Sequence, residues 1–207
     1  MTIKLFKITY DTSTQDKVAA PFLPLDNSTG PKDWFELWPI LHFLETEPLD
    51  DAVWYGFLSP KFEEKSTLTT KDIQRVITQN PNADIALFSH HWPGLALHRN
   101  PWVQAEQYHP GLISCSEAFL RSQGESPNLA QALCDFDTSV YSNYFVAKPR
   151  FWRDWQKLAR AYFDYVETGG DDLPDCKPTG HAGQSDYPMQ TFVQERLVNW
   201  LLLNGKY

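Results

Sequence analysis

Long apolar runs are missing from this chain. No stretch approaches the roughly 18 consecutive apolar residues that a membrane-crossing helix needs, so no transmembrane segment is expected. The start, MTIKLFKITYD, has no apolar block followed by a small-residue cleavage site and does not read as a signal peptide. Cysteine is scarce: Cys115, Cys134 and Cys176 are odd in number and widely spaced. They form neither a CxxC metal pattern nor an obvious disulfide framework, and the expectation is a reduced, cytoplasmic protein. Basic charge is scarce as well. Lys and Arg total 18 against 26 Asp and Glu, a net charge of −8. A general nucleic-acid surface is therefore not expected, because phosphate binding relies on a basic stripe. No GxGxxG follows the first strand and no GxxxxGK[ST] occurs, so dinucleotide and P-loop signatures are lacking. The spacing of Gly56 and Ser59 does not make a GxSxG elbow, which disfavours a serine hydrolase.

What the chain does have is aromatic mass. Of its 207 residues 14% are aromatic, eight of them tryptophan, which fits a heavily packed core or a sugar-stacking surface, the core being the more general use of such rings. The length fits one domain with a sizeable core. Residues 3–10 alternate as a first strand, and 11–30 read as a polar connection ending in turn residues 24–30. Asp33 starts a helix carrying Trp34, Leu37, Leu41 and Leu44, with a kink or two short helices expected because Pro39 lies inside the pattern. A strand over 54–59, a helix over 71–79 capped by Thr70 and a strand over 83–88 follow. Periodicity is weak over 90–115; 116–123 and 127–134 read as helices, and 138–147 as a strand. Pro149 opens a long helix, 169–186 read as a loop, and Pro188 opens the last helix. Strands alternating with helices predict an α/β fold with a mixed, mostly parallel central sheet.

Polar residues cluster where predicted strands end, which is where open α/β sheets place ligands. Asp26 and Asn27 suit a hydroxyl or base edge, or simply an Asx turn. Ser59 and Lys61 follow a strand, and the Lys61 ammonium suits a diphosphate leaving group or a solvated turn. The stretch 100–111 sets Gln104, Glu106 and His109 beside aromatics, as a sugar-hydroxyl array requires, or as an ordered surface loop. His90, His91, His98, His109 and Glu106 contain zinc-ligand types in a spacing that matches no metal motif. Asn143 falls among apolar neighbours and needs partners if buried.

The order of these segments resembles the bacterial capsular and exopolysaccharide biosynthesis glycosyltransferases. The carriers are Asp26-Asn27, Trp34 to Ile40, Trp54-Tyr55-Gly56-Phe57-Leu58-Ser59, Ala83 to Leu87, Gln104 to His109, Tyr141 to Lys148 with Phe151, Trp152 and Trp155, and Glu195-Arg196-Leu197 with Trp200. They span residues 3–204 in the family's order. The resemblance implies a single-domain, GT-A-like three-layer sandwich over 1–207 that takes a nucleotide-sugar donor and a glycan or lipid-linked acceptor. Asp26, Asn27, Ser59 and Lys61 would hold the donor diphosphate, Gln104 and Asn143 the sugar or acceptor, and Glu106 and His109 would act on the acceptor hydroxyl. The chain departs from the family in carrying only Lys61 where a basic cluster is usual. It also has no DxD at a strand end, although Asp135 and Asp137 have the spacing. GT-A enzymes generally hold Mn²⁺ or Mg²⁺ there. Three alternatives follow: a metal-independent enzyme, an unusual use of Asp135 and Asp137, or a non-catalytic carbohydrate- or partner-binding protein. A metal-dependent hydrolase through the histidines is a further reading.

Overall fold

Residue chemistry sets the order of elements along the chain. The computed structural model describes residues 1–89, 91–169, 178–181, 184–205 and 207. They run β1 (Thr2–Thr9), α1 (Thr12–Gln15), β2 (Phe22–Asp26), α2 (Leu37–Thr46), β3 (Val53–Leu58), α3 (Phe62–Ser66), α4 (Thr70–Gln79) and β4 (Ile85–Leu87). Then come α5 (Trp92–Leu97), α6 (Pro101–Glu106), α7 (Leu112–Ser122), β5 (Phe145–Ala147), α8 (Pro149–Glu167), β6 (Thr179–His181), β7 (Gln184–Tyr187), α9 (Met189–Gln194) and α10 (Leu197–Asn204). The protein is α/β with a mixed five-stranded sheet in the order β2-β1-β3-β5-β4. β1 runs parallel to both β2 and β3, while β5 lies antiparallel between β3 and β4. Among the described residues no helix is long and apolar enough to cross a membrane.

Contacts divide the chain into two units. The first comprises Met1–Ser89, Ser142–Gln156 and Gly205–Tyr207, and the second His90–Tyr141 and Lys157–Asn204. The first unit has three layers. β3 is buried along its whole length, the pattern of a central strand covered on both faces. On one face Leu5, Phe22, Trp54, Leu58, Tyr144 and Val146 pack with Phe62 of α3 and Ile73 and Ile77 of α4. On the other, Phe6 and Phe57 meet Phe43 of α2, and Phe57 and Phe145 meet Trp152 of α8. The Trp152 Nε1–H donates to the Tyr55 carbonyl at 3.0 Å, so this ring buries without losing its hydrogen bond. Gly56 makes room for the side chains of the flanking strands: a Cβ there would lie 2.9 Å from both Leu5 Cδ2 and Val146 Cγ2.

In the second unit α6, α7 and α9 pack around Trp102, Phe119, Val193 and Leu197. Asn199 of α10 accepts from the Val140 N–H at 2.6 Å and donates to its carbonyl at 3.0 Å.

Several expectations need correction. Phe22–Asp26 is a strand, not a polar connection; Pro24 is tolerated because β2 is the sheet edge. Of the two alternatives at Pro39 the stretch takes two short helices, a 3-10 turn over Lys32–Trp34 and then α2; Pro39 lies in the first turn of α2, where an N–H would be orphaned anyway, and makes no kink. Residues 127–134 make a turn in place of a helix. Asn100, 1% exposed, donates to the Leu129 and Ala132 carbonyls (both 2.8 Å) and so takes the acceptors a helix would have used. Only Phe145–Ala147 of 138–147 pairs as a strand, since the backbone at Val140 and Ser142 bonds to Asn199 and Ser89 side chains. The weakly periodic 90–115 stretch holds the short helices α5 and α6 and the start of α7. The expected 169–186 loop contains β6 and β7. Cys115 is disulfide-bonded, against the expectation of no disulfide, whereas Cys134 is a free thiol. His90 and Cys176 lie outside the described residues.

Candidate functional site

A ligand crevice forms in an open parallel sheet where consecutive connections leave a strand in opposite directions, beyond the carboxyl ends of the strands. β1 is that strand here, with β2 on one side and β3 on the other. The carboxyl ends of β1 to β4 present Tyr10 and Asp11, Asp26 and Asn27, Ser59 and Lys61, and Phe88 and Ser89. Because β5 is antiparallel, the residues preceding it, Ser142, Asn143 and Tyr144, come in at the same edge. All belong to the first unit. Five sequence-predicted residues, Asp26, Asn27, Ser59, Lys61 and Asn143, are thus brought to one sheet edge. From the end of β2 to the start of β5 is three strand spacings, about 14 Å.

The side chains at this edge differ in what they are already doing. Asp26 closes an Asx turn: its carboxylate accepts from the Ser28 N–H at 2.9 Å and the Ser28 hydroxyl at 3.1 Å. Asn27 staples the following loop. Its Nδ2 donates to the Phe35 carbonyl at 2.9 Å, and its Oδ1 faces Gly30, where a Cβ would stand only 2.0 Å away. Phe35 itself is held at φ 35°, a conformation that side chains rarely adopt and that strained sites use. Asp11 caps α1, and hydrogen bonds from the Ser13 hydroxyl and from Thr14 hold its carboxyl below the usual range. Tyr10 stands at the switch strand. Desolvation, then the Glu36 carboxylate, hold its phenol well above its ordinary value. The residue is 37% exposed as a whole.

Ser59, Ser89, Asn143 and Tyr144 make a buried polar cluster at the ends of β3, β4 and β5. The Ser59 and Tyr144 hydroxyls share a hydrogen bond at 3.0 Å, and Ser89 Oγ accepts from the Ser142 N–H at 2.6 Å. Asn143 is 4% exposed, and its enclosed Oδ1 takes no hydrogen bond from the described residues. Leaving such a group unmet costs about 1–3 kcal/mol, and the buried Asn27 Oδ1 at the same edge is likewise without a donor among the described residues. Lys61 is exposed at the start of α3 and makes no ion pair with a described residue, so its charge is available at the edge.

The remaining expected residues lie in the second unit, and the structure gives most of them local jobs. Glu106 ends α6 and accepts from the backbone N–H groups of Gly111 and Ile113, each at 2.7 Å, tying down the start of α7. His109 is buried, stacked on Phe192 at 3.6 Å, with Nδ1 3.2 Å from the Thr179 hydroxyl. Gln104 is half-buried on α6. Asp135 is spent on its own turn, accepting from the Asp137 N–H at 3.0 Å and the Thr138 hydroxyl at 2.7 Å, and Asp137 is exposed. A divalent metal does not fit this pair, and among the described residues no group of three His, Cys, Asp or Glu suits a metal ion. Of the histidine cluster, His91 Nδ1 caps α5 by accepting from the Gly94 N–H at 3.2 Å, and His90 lies outside the described residues.

Tyr10, Ser89 and Tyr144 were not singled out from sequence as site residues. Their signal is position alone, immediately after β1, shortly after β4 and immediately before β5. Comparison of the chain with family models, with curated proteins and with solved structures finds no match.

Proposed function

We propose that the chain is a glycosyltransferase-like protein that binds a nucleoside-diphosphate sugar along the carboxyl edge of its five-stranded sheet and passes the sugar to a glycan or lipid-linked acceptor. The observation that carries the reading is the enclosed, unmet Asn143 Oδ1, set beside the Ser59–Tyr144 hydroxyl pair at a sheet edge shaped for ligands. An acceptor so placed calls for a hydroxyl or N–H donor, which a sugar or nucleoside supplies. The motif order resembling polysaccharide glycosyltransferases supports the same reading.

In this scheme the Tyr10 ring offers a flank to the base and the Lys61 ammonium meets the departing diphosphate. Asn143 accepts from a hydroxyl of the donor. In the transfer step the acceptor hydroxyl oxygen bonds to the anomeric carbon as the bond to the diphosphate oxygen breaks. The diphosphate leaves with that electron pair. The acceptor hydroxyl proton passes to the departing diphosphate oxygen; Glu106 and His109, which the resemblance sets to act on that hydroxyl, are committed to backbone and ring contacts in the second unit.

That commitment favours one second reading: a carbohydrate-binding protein on the same edge, without transfer. A thermal-shift screen with UDP, GDP, CDP and dTDP, each with and without Mn²⁺, tests the first. Stabilisation by one nucleotide, about 2.7 kcal/mol at a hundredfold excess over Kd, supports a donor site. No shift with any of them, together with no turnover of the matching sugar nucleotides, rejects it. Shifts without turnover select the binding protein.

A further inference from the structure

At the carboxyl ends of β1 and β2 a single residue ties two segments together. The Asn27 N–H donates to the Thr9 carbonyl at 2.8 Å, and Asn27 Nδ2 donates to the Phe35 carbonyl at 2.9 Å. Thr9 immediately precedes Tyr10, and Phe35 immediately precedes Glu36. Asn27 therefore brackets the backbone on which both of those side chains stand. The bracket has little play. The Thr9 hydroxyl donates to the Leu25 carbonyl at 3.3 Å, and a Cβ at Gly30 would collide with Asn27 Oδ1 and the Trp38 indole.

Glu36 is delivered by a strained turn. Phe35 takes φ 35° and ψ −111°, a conformation that persists only where the surrounding structure imposes it. Glu36 then occupies the N-cap position of α2, yet its side chain makes no capping hydrogen bond. Asp11 and Thr69, at the same position of α1 and α4, do cap their helices. The Glu36 carboxylate is half-buried beside Tyr10. Burial first, and then the Glu36 charge, hold the Tyr10 phenol above its ordinary value, so its hydroxyl remains a donor. A carboxylate has roughly four acceptor positions, more than one neighbouring hydroxyl can fill. A carboxylate beside a protonated hydroxyl complements a vicinal diol, whose oxygens both donate and accept.

We propose that Glu36 and Tyr10 read the ribose of the bound nucleotide, Glu36 accepting from its 2′- and 3′-hydroxyls and the Tyr10 hydroxyl donating to one of them. The inference rests on the reading of this sheet edge as a nucleoside-diphosphate site. Charge along the edge decides which part of the nucleotide lies where. Glu36 repels a diphosphate, and Lys61, just past the end of β3, attracts one. The uncharged, hydroxyl-rich ribose therefore belongs at the ends of β1 and β2, and the diphosphate at the end of β3. β3 is the neighbour of β1, one strand spacing or about 5 Å away, a step that the link from ribose to diphosphate covers. Asn27 acts here as a positioning residue, through the two segments it holds.

The test is calorimetric titration of the full chain with UDP, GDP, CDP and their 2′-deoxy counterparts, dTDP included. The ribonucleotide that binds best should lose about tenfold or more when its 2′-hydroxyl is removed, the scale of a hydrogen bond to a charged acceptor. Glu36→Gln should weaken that ribonucleotide about tenfold and leave its deoxy form nearly unchanged, so their ratio falls toward one. Tyr10→Phe keeps the ring and should narrow the ratio by a smaller factor, roughly threefold. The Glu36 side chain caps nothing, so an unchanged melting temperature is expected and confirms folding; should it fall, Tyr10→Phe reads the same ratio. Equal binding of ribo- and deoxynucleotides by wild type overturns the inference and leaves the nucleotide site standing. So does an equal loss of both forms in Glu36→Gln. A Glu36-dependent preference for GDP that 2′-deoxy-GDP shares gives the carboxylate to the base edge and overturns it too. No binding of any nucleotide overturns both the inference and the reading beneath it.

Discussion

Asn143→Leu separates a functional orphan from a structural residue. Asn143 is 4% exposed and not among the residues with positive φ, so leucine meets no backbone obstacle there. Leucine keeps asparagine's branched shape but ends in two bulkier methyls, so no large cavity follows and overpacking offsets part of any gain. What changes is the amide. An enclosed acceptor without a partner costs about 1–3 kcal/mol relative to a satisfied one, and an apolar replacement of the same shape removes that cost. The substitution should therefore stabilise the protein, by less than the full ~1–3 kcal/mol that an isosteric apolar side chain would give. For a chain of this size each kcal/mol raises Tm by roughly 2–4 °C. In urea melts the midpoint should rise with an unchanged slope. The nucleotide-dependent shift seen for wild type should vanish in the variant. Such a trade of stability for binding is what a site residue shows and a core residue does not. A fall in stability of about 1 kcal/mol or more would mean that the amide has a partner in solution, water included, and the argument for the site would collapse. A stabilised variant that kept the full nucleotide shift would refute the placement of the ligand instead.

Other substitutions test the surrounding framework. Gly56→Ala puts a methyl 2.9 Å from Leu5 Cδ2 and Val146 Cγ2 in the middle of the sheet, and should cost about 1–3 kcal/mol by overpacking, read in urea melts. Glu106→Ala removes the acceptor of two backbone N–H groups and should cost about 2–4 kcal/mol. Glu106→Gln should recover part of that, whereas a catalytic Glu106 would lose turnover in both variants with stability intact. Burial pushes the Cys134 thiol up from 9.0 to about 12, with a smaller push from Asp135. Its thiolate should be roughly a thousandfold scarcer than that of an ordinary cysteine, and alkylation by iodoacetamide at pH 8 should be slow until the protein is unfolded. The sign follows: the neutral thiol is favoured in the fold, so this stabilisation is complete below pH 9 and is lost as pH rises toward 12. Rapid alkylation of native Cys134 at pH 8 would contradict it.

The parts of the fold that were legible in sequence are those where local pattern and tertiary context agree. β1 and β3 read correctly because their apolar residues serve a sheet covered on both faces, and α4 and α8 because an apolar stripe faces that sheet. β2 was lost because Pro24 is a turn signal in isolation, and only knowledge that the strand is an edge restores it. The segment 127–134 has helical composition, yet Asn100, some thirty residues earlier, captures its carbonyls.

The site shows the same division at the level of single side chains. Asp26, Glu106, Asp135 and Asn143 look alike as candidates, each a polar residue next to an apolar element. The first three spend their acceptors on neighbours two to seven residues away, bonds that an Asx turn or a helix start provides without any ligand. Asn143 has no such outlet, because the backbone around it is already engaged: Tyr144 N bonds Ser142 O, Ser142 N bonds Ser89 Oγ, and the Tyr144 carbonyl serves Phe88. Residue type and position locate the sheet edge. Which polar group there remains for a ligand depends on where every neighbouring donor and acceptor has gone, and that is settled by the fold as a whole.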